Sequence, residues 1–126
     1  MIGLTKKNSG LIGFVNASFS YKAINQDELR EWAIKTVSEN DIDKLPMYII
    51  DLMDFSGYPK DIYKVIGFNP YWEHSHEQLK ALYGITIRRG GRLSDIKTTP
   101  SEALDALRKH PEIEKLFRET FPFIRF

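Results

Sequence analysis

The chain has no cysteine. That one absence removes disulfide scaffolds, zinc–thiolate sites, cysteine-ligated iron–sulfur clusters and thiol nucleophiles together. It also frees the fold from dependence on an oxidising compartment. Long apolar runs are missing too: no stretch approaches the roughly 20 apolar residues that a membrane span requires. The opening Met1-Ile2-Gly3-Leu4-Thr5-Lys6-Lys7 places its charges after a short apolar patch and lacks the apolar run of a signal peptide. The expected location is therefore the cytoplasm, with no membrane partner. An excess of one charge is lacking as well. Eighteen Lys and Arg against 17 Asp and Glu leave a formal charge of +1, so no global field draws the chain onto nucleic acid.

What is present is ordinary globular material. The 126 residues, 42% hydrophobic and 28% charged, suit one domain spanning 1–126 with a self-sufficient core. Aromatic content is high, with eight Phe, six Tyr and two Trp to divide between core and interface. There is no internal repeat, low-complexity tract or linker.

Apolar spacing is helical almost throughout. Leu11 to Tyr21 is the ambiguous stretch: Val15, Ala17, Phe19 and Tyr21 alternate as in a strand, while Leu11, Phe14, Val15 and Ser18 fit a helix capped by Ser9. With no partner strand following, helix is the expectation. Asn25 and Glu28 have the spacing of a capping box ahead of Leu29, Trp32, Ala33, Thr36 and Val37, and Asn40 is the stop. A third helix is expected from Asp43 to Gly57, with Pro46 tolerated in its first turn and Leu45, Tyr48, Ile49 and Leu52 inward. A short helix follows Pro59 and ends at Gly67, and Phe68 to Trp72 form an aromatic connector. Ser75 and Gln78 open a helix that carries Leu79, Leu82, Tyr83 and Ile87 and closes at Gly90-Gly91. Thr99-Pro100-Ser101-Glu102 and Pro111 start the last two, before an apolar Phe121-Pro122-Phe123-Ile124 end. The fold class expected is all-α, an irregular bundle of about six or seven short helices.

Catalytic signatures are absent. There is no phosphate-binding glycine loop, dinucleotide fingerprint or nucleophile elbow. The densest titratable cluster is Glu73-His74-Ser75-His76-Glu77. Its histidines are two apart rather than four, so on a helix they diverge, and the capping signal at Ser75 predicts a loop-to-helix junction rather than a metal site. No catalytic residue, cofactor or metal is expected, and the chain is read as a binding protein rather than an enzyme.

Charge is unevenly distributed. From Glu39 to Asp61 six acids face two lysines, whereas Arg88, Arg89, Arg92 and Lys97 stand against Asp95 alone. On the third helix Met47, Ile50, Asp51 and Asp54 line up opposite the inner stripe, apolar residues bordered by carboxylates. On the Leu79 helix, Ala81, Gly84, Ile85 and Arg88 form a second stripe, either interface or a helix buried on two sides. Gly84 is the position where another backbone would approach.

Glu28-Leu29-Arg30-Glu31-Trp32-Ala33, Pro46-Met47-Tyr48-Ile49-Ile50-Asp51-Leu52, Ile66-Gly67-Phe68 and Ala81-Leu82-Tyr83-Gly84-Ile85 resemble the scattered motifs of small bacterial immunity proteins. Those proteins accompany polymorphic toxins and contact-dependent growth inhibition systems. The resemblance runs from about Phe14 to Phe123 and rests mainly on core-type residues. It implies one-to-one binding to a cognate toxin domain, commonly a nuclease, with its active site or substrate surface blocked. Toxins that handle nucleic acid tend to have basic clefts, which makes Asp41, Asp43, Asp51, Asp54 and Asp61 the candidate contacts and Met47 and Ile50 the apolar anchors. The alternatives are an adaptor subunit of a larger complex and a nucleic-acid-binding regulator using Arg88, Arg89, Arg92 and Lys97.

Overall fold

Asn25 accepts a hydrogen bond from the Glu28 amide at 2.8 Å and the Glu28 carboxylate accepts from the Asn25 amide at 2.9 Å, so the capping box forms in full. It opens α2, Gln26–Glu39, and Asn40 closes that helix by donating from its side chain to the Thr36 carbonyl. The computed structural model describes residues 2–126, and among these the chain is all-α. Seven α-helices and two single-turn 3-10 helices account for its regular structure. The other helices are α1 Gly10–Ser20, α3 Tyr48–Leu52, α4 Ile62–Ile66, α5 His76–Arg88, α6 Pro100–Lys109 and α7 Pro111–Thr120. Among the described residues no helix is long and apolar enough to cross a membrane.

Internal contacts divide the chain into two compact units. The first comprises the residues up to Ser20 together with Asn25–Glu73. The ambiguous Leu11–Tyr21 stretch is helical, and Ile12, Phe14, Val15 and Phe19 of α1 are buried. Ser9 precedes the helix as expected, but its hydroxyl is committed elsewhere. It donates to the Tyr71 carbonyl at 3.2 Å and accepts from the Tyr71 amide at 2.9 Å. The aromatic connector thus lies along α1, so close that a Cβ at Gly13 would stand 2.4 Å from the Trp72 amide nitrogen. Phe14 meets the Trp72 ring edge-on at 4.9 Å, and Phe19 meets Phe55 at 5.9 Å.

The expected continuous third helix is not formed. Ile42–Lys44 makes one 3-10 turn, Leu45 is extended at φ −101°, ψ 144°, and α3 begins only at Tyr48. Pro46 is the cause, because its ring crowds the preceding residue out of the helical region. The inner residues are nonetheless those expected: Leu45, Tyr48, Ile49 and Leu52 are buried. The helix ends at Leu52 rather than near Gly57. A 3-10 turn, Pro59–Asp61, leads into α4, which Gly67 terminates in the left-handed conformation at φ +90°.

The second unit comprises Tyr21–Ile24 and His74–Phe126. The Ser75–Gln78 capping box opens α5, and Thr99 caps α6 with Pro100 at its first position. Here α5 is buried on two sides: Ala81 and Ile85 are as inaccessible as Leu82 and Tyr83. Gly84 permits the contact, since a Cβ there would lie 2.5 Å from the Ala103 carbonyl oxygen and 2.9 Å from the Leu107 Cβ of α6. Ile113 and Phe117 of α7, followed by Phe121 and Ile124, complete this core.

Candidate functional site

The face opposite the α3 core stripe is built by helical spacing. With Tyr48, Ile49 and Leu52 inward, residues 47, 50 and 51 are left on the other side, and Asp54 follows in the turn that closes the helix. Met47 is 76% exposed, Asp51 and Asp54 are exposed, and Ile50 is half-buried. Asp43 is also exposed, on the 3-10 turn just before. Among the described residues no cation pairs with Asp43, Asp51 or Asp54, so no ion pair within the fold neutralises them.

Two of the acids read as contacts have a structural task. The Asp41 carboxylate accepts from the Asp43 amide at 3.1 Å and caps the 3-10 turn. Asp61 is half-buried, accepts from the Tyr58 amide at 3.0 Å and stands 3.9 Å from the Lys64 ammonium. Its capping role leaves it less available than Asp51 or Asp54.

Sequence reasoning passed over several exposed apolar side chains in the same unit. Ile42 is half exposed on the 3-10 turn that precedes α3. Tyr58 is 70% exposed, with the Lys60 ammonium 5.8 Å from its ring centroid, and Tyr63 is exposed on α4. Ile42 lies just ahead of the expected helix start at Asp43, so the helical spacing assigned it to neither face.

The basic stretch is organised differently. Arg88 pairs with Glu114 of α7 at 2.5 Å, and Arg118 donates to the same carboxylate at 3.0 Å. Both guanidinium groups cover the Phe126 ring, at 4.9 and 4.2 Å from its centroid. Hydrogen bonds from Arg118 first, and then from Arg88, hold the Glu114 carboxyl below the ordinary glutamate value. Arg89 donates to the Ala23 carbonyl. Arg92 is exposed and bonds its neighbour's carbonyl at 2.7 Å. Half of the expected cation row is thus committed to internal contacts.

In the histidine cluster, His76 starts α5 and is exposed, His74 is half-buried, and Glu77 lies 3.3 Å from the Lys80 ammonium. Among the described residues no three His, Asp or Glu side chains are grouped as a metal site would require. No family model, curated protein or solved structure matches the chain.

Proposed function

We propose that this protein acts by binding, as an immunity protein that neutralises a cognate bacterial toxin domain in the cytoplasm. The observation that carries the reading is the outward face of α3. There a large apolar side chain that the fold leaves in solvent, Met47, shares the outer side of the helix with the exposed Asp51 and is followed by the exposed Asp54 in the closing turn, carboxylates that no internal cation neutralises. Such a face suits a partner whose surface is basic and partly apolar, as the substrate cleft of a nuclease is. Met47 and Ile50 are the anchors, Asp43, Asp51 and Asp54 steer the encounter, and Asp41 and Asp61 shape the turns that present them.

The nucleic-acid-binding alternative gains nothing from the geometry, because Arg88 and Arg89 are used within the fold. An adaptor role would use the same face on a different partner. Co-expression with the toxin domain encoded immediately upstream, followed by titration of the purified pair, decides between them. Growth rescue with tight one-to-one binding is the expected result. Absence of both rescue and binding would overturn the immunity reading.

A further inference from the structure

Within the second unit a cavity of about 250 Å³ opens between the first turns of α5 and the segment 96–98. Its lining is of two kinds. The Tyr21 side chain, Leu79 and Ile96 supply apolar surface. Lys80 and Lys97 add cationic residues to the lining, and His76 and Thr98 add residues able to donate hydrogen bonds. No carboxylate lines it. The acid nearest in chain to these cations on α5, Glu77, is 3.3 Å from the Lys80 ammonium, whose side chain is only 23% exposed.

The Tyr21 side of the lining is tied to α5, as is the chain that leads towards segment 96–98. The buried Thr86 hydroxyl donates to the Tyr21 carbonyl at 2.7 Å. The Leu93 amide donates to the Tyr83 hydroxyl at 3.3 Å, and the Gly91 amide to the Thr86 carbonyl at 2.9 Å. Burial raises the Tyr21 phenol above its ordinary value, so it remains a neutral donor. An apolar pocket with a few polar groups on its lining is the usual form of a small-molecule site.

We infer that this cavity binds a small organic carboxylate, its apolar part against Leu79, Ile96 and Tyr21 and its charge between Lys80 and Lys97. The volume falls just below the roughly 300–1,000 Å³ typical of ligand pockets, which restricts the occupant to a small molecule. The apolar half of the lining favours an organic anion over inorganic phosphate, which has nothing to place there. The adjoining cavity of about 380 Å³ shares Tyr21 and Ile96 but sets Asp95 against its single cation, Lys22, and so offers an anion no net charge. The inference is independent of toxin binding, since it concerns the other unit of the chain.

The test is a titration of the full-length, isotopically labelled protein followed by amide NMR shifts. The three probes are benzoate, benzamide and inorganic phosphate. Benzoate is expected to give saturable shifts concentrated at 76–80 and 96–98. Benzamide, of the same shape without the charge, should bind about tenfold more weakly, equivalent to roughly 1.4 kcal/mol. Phosphate should give no saturable shift there. Lys97→Met, which keeps the aliphatic stem, should weaken benzoate by about tenfold. Ile96→Trp, which fills the cavity, should abolish binding while the remaining spectrum overlays that of the parent. Equal affinity for benzamide or phosphate would overturn the inference. So would unchanged benzoate binding in a folded Ile96→Trp variant, or no saturable benzoate shift in the parent.

Discussion

At the scale of the residue, two positions carry more than their size. Replacing Gly84 with alanine sets opposing terms against each other. Helix propensity favours alanine by about 1 kcal/mol. Overpacking a tight contact costs about 1–3 kcal/mol. The obstacle at 2.5 Å is a carbonyl oxygen of α6 rather than the mobile end of a side chain. The clash should therefore win, with Gly84→Ala losing up to about 2 kcal/mol in urea denaturation. An equally stable variant would mean that α6 moves aside freely. Tyr48 is the second case. Its buried hydroxyl donates to the Leu4 carbonyl, and burial raises its pKa so that it stays a donor at any ordinary pH. Tyr48→Phe leaves that acceptor without its donor, and the expected loss is about 1–3 kcal/mol by the same measurement. Gly84 was marked in the sequence because a glycine inside a strong helical pattern needs a reason. Gly13 was not, because α1 itself was ambiguous and its neighbour, the connector around Trp72, lies almost 60 positions away.

At the scale of the element, local chemistry decided where helices begin. Asn25→Ala removes the hydrogen bond to the Glu28 amide, and about 1 kcal/mol of stability should go with it. The capping signals at Asn25, Ser75 and Thr99 were readable because each acts within four residues of chain. The break at Pro46 was readable in principle and was missed, since a proline allowed in a first turn still excludes its predecessor from the helix. What the sequence did not reveal is long-range. Nothing in the spacing of Arg88 announces Glu114, 26 residues on, or the clasp of Arg88 and Arg118 over Phe126. That clasp has a pH signature. Because the Glu114 carboxyl is held below its unfolded value, its contribution is present above the ordinary glutamate range and is lost as pH falls through the lowered folded value. Unfolding midpoints measured from neutral pH downwards should decline there, and Glu114→Gln should flatten the decline. Parallel curves for parent and variant would show that the clasp adds nothing to stability.

At the scale of the whole molecule, a formal charge of +1 conceals segregation: six acids against two lysines between Glu39 and Asp61. Which of those charges remain for a partner is a matter of three-dimensional use. Asp41 and Asp61 are spent on capping, whereas Asp51 and Asp54 stay exposed beside Met47 and Ile50. If the α3 face receives a basic toxin surface, charge and apolar contact should separate kinetically. Exposed charges at an interface act mainly on encounter, and desolvated anchors act mainly on dissociation. Asp51→Asn with Asp54→Asn should slow association by about tenfold at low ionic strength. That difference should nearly vanish near 1 M salt, where the screening length is about 3 Å. Met47→Ala should leave association unchanged and hasten dissociation, with a cost of at least about 2 kcal/mol if it is a central anchor. Stopped-flow mixing of the purified pair across a salt series measures both rates. A double asparagine variant that associates as fast as the parent at low salt would remove these acids from the interface, and an unchanged dissociation rate for Met47→Ala would remove the anchor.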